Sequence, residues 1–295
     1  MSEGIRVLLS NLWFPSRDGV VKGVIFLENG KIGFIGETPE PEHELSELQY
    51  DFQGHAIALH GFSAIVDLVE YPFRRLGIND FSTLSRHELE RLAEVGFANA
   101  LANGITMPIV YTEHLKPVEK ISRELGIKVV IIHEGEVVEK SGLYYLLVKE
   151  GNIYFNDEKI GVLSDITCSP QRITEKCRMM DLRSTGSTIS SLSILYESGV
   201  DSGRLYRILV EPYRITRVGE GVIDVNEIAD LQVIDLGNPL KASIIRHEDD
   251  FWATVSRFMD PDIVFVNGES YYERGEHLVV PVKNITGILD KISIK

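Results

Sequence analysis

The sequence predicts an α/β protein in which a β-domain built from both ends of the chain flanks a central region of alternating strands and helices. Three observations carry that expectation. Turn-punctuated β runs fill residues 1–58, strand and helix patterns alternate over 59–214, and β texture returns over 215–295. At 295 residues, 44% hydrophobic and 25% charged, the chain has material for one sizeable core and a second, smaller one.

The elements follow in order. IRVLLSNLWF and GVVKGVIFLENGKIGFIGE read as strands, with Asn29-Gly30 as a hairpin turn. LHGFSAIVDLVEYP (59–72) is an apolar strand that carries Asp67 and Glu70. HELERLAEVGFANALANG (87–104) spaces its apolar residues for a helix and stops at Asn103-Gly104. ITMPIVY (105–111) is a buried strand, LKPVEKISRELG (115–126) a helix closed by Gly126, and IKVVIIHEG (127–135) another strand. This alternation implies a parallel sheet with helices packed on it, whose functional face is the C-terminal strand ends. IGVLSDITC (160–168) reads as a later strand of the same region. In the tail, GVIDVNEIADLQVIDLG (221–237) and PDIVFVNGESYYERGEHLVV (261–280) are strand runs turning at Asn267-Gly268 and Arg274-Gly275.

Charge and cysteine usage bound the partners. A net charge of −14, from 44 acids against 30 bases, repels nucleic acid and anionic lipid, and the sequence shows no overriding basic patch. No apolar run reaches the length of a membrane span, and MSEGIRVLL lacks the regions of a signal peptide, so a cytoplasmic location is expected. Cys168 and Cys177 lack the C-x-x-C spacing and are expected to be free thiols of a reducing compartment.

Segments at both ends resemble the amidohydrolase superfamily, within it the dihydroorotase and cyclic amidohydrolase branch. They are VIFLENGKIGFIGE near the start, and GEGVIDVNEIADLQVIDLG and VNGESYYERGE near the end. In the return segment the resemblance rests on Gly221, Ile223, Ala229, Asp230, Leu231 and Asp235, with Glu211-Pro212 just before it. It implies a composite β-sandwich from residues 1–58 and 215–295 around a metal-dependent (β/α) TIM-like barrel over 59–214. It also implies hydrolysis of cyclic amide C–N bonds and a place in pyrimidine biosynthesis. Residues 59 to 214 number 156, against roughly 250 for a complete eight-unit barrel, so the barrel is expected to be incomplete or remodelled.

The barrel motifs of the family are altered. Its first strand runs Pro-Gly-Phe-Ile-Asp-x-His-x-His-x-Arg-x-Pro, where the histidines bind metal and the Arg holds the substrate carboxylate. Gly61-Phe62 and Pro72 fix a gapless frame that puts Ala64 at the Asp, Val66 and Leu68 at the histidines, and Glu70 at the Arg. Hydrocarbon side chains offer a metal no lone pair, and Glu70 reverses the sign of the carboxylate clamp. Strand alternation in this frame sends Asp67 to the face opposite Val66 and Leu68. By the same resemblance, Glu113 stands where a substrate-binding Asn belongs. ITCSPQRITEK sets Thr167 at the general-base Asp and Cys168 and Gln171 at two histidines. Asp165, two residues earlier on the expected strand, is then the nearest replacement base. Arg172 belongs to a local basic group with Arg178 and Arg183 that can receive an anion, and Lys140 and Lys149 are the candidates for the family's bridging lysine.

Two functional expectations stand side by side. One is a catalytically inactive homologue without a cofactor, a structural or regulatory protein which by analogy could support aspartate carbamoyltransferase. The other is an active hydrolase of cyclic amides with a rebuilt site, holding zinc or another divalent ion on Glu113, His114, His133 and Asp165. A homodimer through the sandwich edges and exposed Tyr271-Tyr272 is the remaining partner expectation.

Overall fold

The computed structural model describes residues 5–71, 73, 77–78, 80–134, 144–185, 200–257, 260–281 and 285–292. At the N-terminus, β1 (Val7–Ser16) and β2 (Gly19–Glu28) form an antiparallel pair, and β2 turns into β3 (Lys31–Gly36) through Asn29-Gly30. Both turn residues sit at positive φ, 52° and 77°, which Asn and Gly tolerate best. β4 (Leu48–Asp51) and β5 (Ala56–His60) run parallel to β1 along different parts of its length.

β5 continues into an extended stretch, 62–65, that begins the central region. Helix α1 (Arg86–Ala102) starts on a Ser85–Glu88 capping box. β6 (Ile109–Val110) follows, then α2 (Leu115–Leu125), which ends on Gly126 at φ 67°. Next come β7 (Val130–Glu134), β8 (Tyr144–Lys149), β9 (Asn152–Phe155), β10 (Glu158–Val162), a helical turn α3 (Leu163–Ile166), β11 (Thr167–Cys168) and β12 (Met179–Met180). Their pairing defines an arc in the order β11, β12, 62–65, β6, β7, β8, β9, β10, parallel throughout until β9 and β10 reverse. Among the described residues no ladder joins β10 to β11; α3 links them along the chain.

The two faces of the arc have different cores. Ile65, Met107, Ile109, Val130, Ile132, Leu146, Val148 and Met179 collect into one apolar cluster on the inner face. Alternate residues, among them Val66, Val110, Val129, Ile131 and Met180, point the other way and pack with α1 and α2.

The chain ends through α4 (Ser202–Ile215), β13 (Leu231–Asp235), α5 (Glu248–Arg257), β14 (Ile263–Val266), β15 (Glu269–Glu273), β16 (Glu276–His277) and α6 (Thr286–Ile292). β13 pairs with β5, so strands from both termini share one nine-stranded sheet. The sheet curls: the Ile32 amide donates to the Glu227 carbonyl, the Ala229 amide to that of Gly30, and the strip ahead of β13 borders β3. Inside the curl lie Val7, Leu9, Phe14, Ile25, Leu27, Leu231, Val233 and Phe265, all within 1% of full burial or completely buried. The other face of β5, β13 and β14 packs in one cluster with α1, α2, α4 and α5, which anchors the arc to the sheet.

Several expectations are corrected. Cys168 and Cys177 are not free thiols; they form a disulfide with Cα atoms 5.8 Å apart. Residues 163–166 of the expected strand 160–168 are the turn α3. Tyr271 is not an exposed dimer contact: it is 5% exposed, and its hydroxyl donates to the Leu125 carbonyl at 2.6 Å. Tyr272 packs partly buried against the same core. No described helix is long and apolar enough to cross a membrane.

Candidate functional site

Counting alternation from the inner cluster shows which side chains the arc aims over its own core at the C-terminal strand ends. Ile65 is inner, so Asp67 is inner as well; Ile109 leads to Tyr111, Ile132 to Glu134 and Met179 to Asp181. These four residues, with Arg183 two positions beyond Asp181, form the polar ring of the strand ends.

The ring is internally bonded. Arg183 makes a bidentate pair with Asp181, Nε to Oδ1 at 3.0 Å and Nη2 to Oδ2 at 2.7 Å. That bonding raises the Arg183 pKa further, and the nearby negative charges of Asp67 and Glu70 add to the effect. Its guanidinium carbon lies 6.0 Å from the centre of the Tyr111 ring. The Tyr111 hydroxyl donates to Glu134 Oε1 at 2.9 Å, and this bond is the largest cause of a raised Tyr111 pKa. Glu70, 9% exposed, accepts a hydrogen bond from the Thr112 hydroxyl at 2.6 Å. A cleft of about 610 Å³ opens here, lined by Glu70, Phe81, Tyr111, Glu113, His133 and Arg183 among others.

The expected site residues divide. Glu70 and Glu113 line this cleft together with His114 and His133. Asp165 does not join them. It sits in α3, ahead of the N-terminal end of β11, pairs with Lys176 at 3.0 Å and lines a separate hollow with Arg178, Arg204 and Arg207. Arg172 is exposed in the turn after β11, its amide bonded to the Ser169 carbonyl. Lys149 is the exposed last residue of β8, and Lys140 lies outside the described residues.

Val66 and Leu68 are each 1% exposed, as their apolar chemistry requires, but on the outer, helix-packed face. The gapless frame is therefore one residue out of step with the inward positions. Asp67, which that frame turned away from the site, is 4% exposed and does not line the cleft, though its charge is felt by Arg183. The sequence signal was available in the parity of IVD and VIIHE, had it been counted from a residue of known facing.

The rebuilt metal cluster is not assembled. Among the described residues the one trio of possible ligand atoms within 4.8 Å of one another is Glu40, Glu42 and His43, far along the chain in the β3–β4 connection. Even there the His43 Nδ1 lone pair accepts the Glu40 amide at 3.2 Å. At the strand ends, His133 falls on the outer parity, and His114 begins α2 with its ring edge-on to Phe81 at 5.6 Å. Zinc sites draw on imidazole, thiolate and carboxylate lone pairs held close together. His114 and His133 line the cleft but join no trio of close ligand atoms among the described residues, and Arg183 holds a fixed positive charge there. The described residues do not fit a divalent ion.

No protein-family model matches the chain, and neither does any curated protein sequence. Solved structures do. The chain is similar to a triazine hydrolase from Arthrobacter aurescens, with a TM-score of 0.72 at 10% identity over 99% of this chain and 100% of that one. An adenosine deaminase from Xanthomonas campestris with bound zinc matches with a TM-score of 0.65 at 9% identity, over 98% and 97% of the two chains. Guanine deaminase from E. coli matches with a TM-score of 0.61 at 11% identity, over 92% and 100%. These neighbours are members of the amidohydrolase superfamily, and it is their α/β fold that this chain shares.

Proposed function

We propose that this chain is an amidohydrolase-fold protein that binds a ligand in the strand-end cleft and does not carry out metal-dependent hydrolysis, a structural or regulatory homologue of the cyclic amide hydrolases. The observation that carries the reading is the composition of the inward ring: Asp67, Tyr111, Glu134 and Asp181, with Arg183 salt-bridged among them. A guanidinium locked onto Asp181 repels a divalent cation and occupies that carboxylate. Fold alone does not confer the neighbours' chemistry when the ligating side chains differ.

The test is a hydrolysis panel with dihydroorotate, hydantoin, guanine and adenosine, run with and without added zinc on well-folded full-length protein. The reading expects rates equal to the blank in every case. Zinc-dependent turnover of any of the four, abolished by a chelator and restored by zinc, contradicts it.

A further inference from the structure

Glu70 stands apart from the other carboxylates that line the cleft. Glu113 and Glu134 are exposed and solvated, and Asp181 behind them is neutralised by Arg183, whereas Glu70 is 9% exposed and takes its hydrogen bond from a neutral hydroxyl. A buried carboxylate is ordinarily matched by a cation, because desolvation of the charge costs more than one neutral hydrogen bond returns. Arg183 is near enough to feel Glu70 electrostatically, yet its Nε and Nη2 are bonded to Asp181, and among the described residues it makes no hydrogen bond to Glu70. What faces Glu70 from the open side is the cleft itself, about 610 Å³, within the range of small-molecule sites.

We propose that the cleft takes a small organic cation, an amine or amidinium on an aromatic or apolar frame, with its charged head on Glu70. Tyr111, 42% exposed, with Phe81, Leu115 and Ile132, offers ring and aliphatic surface for the frame. Glu113 and Glu134 at the rim, on a chain of net charge −14, draw cations inward and discourage carboxylates. The inference deepens the non-hydrolytic reading of the same cleft.

Calorimetric titration of the full-length chain with benzamidine and phenethylamine, against neutral benzamide and anionic phenylacetate, tests it. The cations are expected to bind saturably and about tenfold or more tighter than their uncharged or anionic counterparts. E70Q, which keeps an acceptor for Thr112 and removes the charge, is expected to erase that preference. E158Q, the same charge change on exposed β10, is expected to preserve it. Equal binding of benzamidine and benzamide, absence of binding by both, or an E70Q variant that still prefers the cation overturns the proposal. The benzamidine and benzamide comparison on the unaltered chain decides the matter even where E70Q does not fold. Turnover in the hydrolysis panel with cation binding intact would overturn only the non-hydrolytic reading; blank rates without cation preference would overturn only this one.

Discussion

His60 is completely buried beneath the arc, its ring edge-on to Tyr213 at 4.5 Å, with Nδ1 bonded to the Gly61 carbonyl and no hydrogen-bond partner for Nε2. Desolvation is the largest cause of its lowered pKa, so it folds neutral. The sign follows from proton linkage. Below the unfolded value near 6.5 the unfolded chain binds a proton that the folded chain refuses, so His60's contribution is present above that pH and is lost as pH falls toward the lower folded value. Stability measured by urea unfolding should decline between pH 7 and 5 by up to about 1.4 kcal/mol per pH unit from this group. His60→Phe should flatten that slope; an unchanged slope would show that other groups carry it. Glu47 and Glu88, each held down to about 2, act in a separate window below pH 4.5. Beside His60, fully buried Asp230 accepts from the Tyr213 hydroxyl at 3.0 Å, the Asn267 amide at 2.9 Å and Lys128 Nζ at 3.3 Å. Asp230→Ala removes the shared acceptor of all three donors and should cost about 3 kcal/mol in urea unfolding, whereas a surface-like loss under 1 kcal/mol would deny the network its role. The sequence singled out Asp230 as a family signature, and its structural work became visible only with its partners. The facing of Asp67 depends on register in the same way: it alternates with every residue, so an error of one inverts it.

The elements most legible in the sequence are those whose ends are chemically marked. Ser85 and Glu88 cap the start of α1, and Gly126 closes α2 in the left-handed conformation that favours glycine. The helices α1 and α2 were accordingly readable to within two residues. α3, β11 and β12 were not, because two-residue strands and a single helical turn leave no period to detect, and they owe their shape to neighbours. The α5 helix was also hidden, its ten residues sitting in the long interval between two β runs. α1 also fixes the 66–70 segment, which carries Asp67 and Glu70. A Cβ on Gly96 would come within 2.3 Å of the Leu68 carbonyl oxygen and 2.5 Å of its Cα, so only glycine lets the helix lie this close. Gly96→Ala gains about 1 kcal/mol of helix propensity but must push backbone aside, and a net loss of about 1–2 kcal/mol is expected by urea unfolding. A stabilised variant would mean that α1 and the 66–70 segment do not touch as described.

At the scale of the molecule, the joining of both chain ends into one sheet was legible from the recurrence of β texture, and β13 against β5 makes that junction. The arc was legible as strand–helix alternation, and its C-terminal ends gather Glu70, Glu113, His114 and His133 at one cleft. Asp165 lies outside it because the strand assumed to carry it breaks into α3, which leaves it on the N-terminal side of β11. The strand-end site is salt-bridged through Arg183 and Asp181, on a fold whose solved neighbours include zinc-bound enzymes. The direct measurement is equilibrium zinc binding to chelator-free full-length protein, by elemental analysis after dialysis against graded zinc. The account predicts well below one zinc per chain at micromolar free metal; one tightly held zinc per chain, lost on Asp67→Ala or Asp181→Ala, would contradict it.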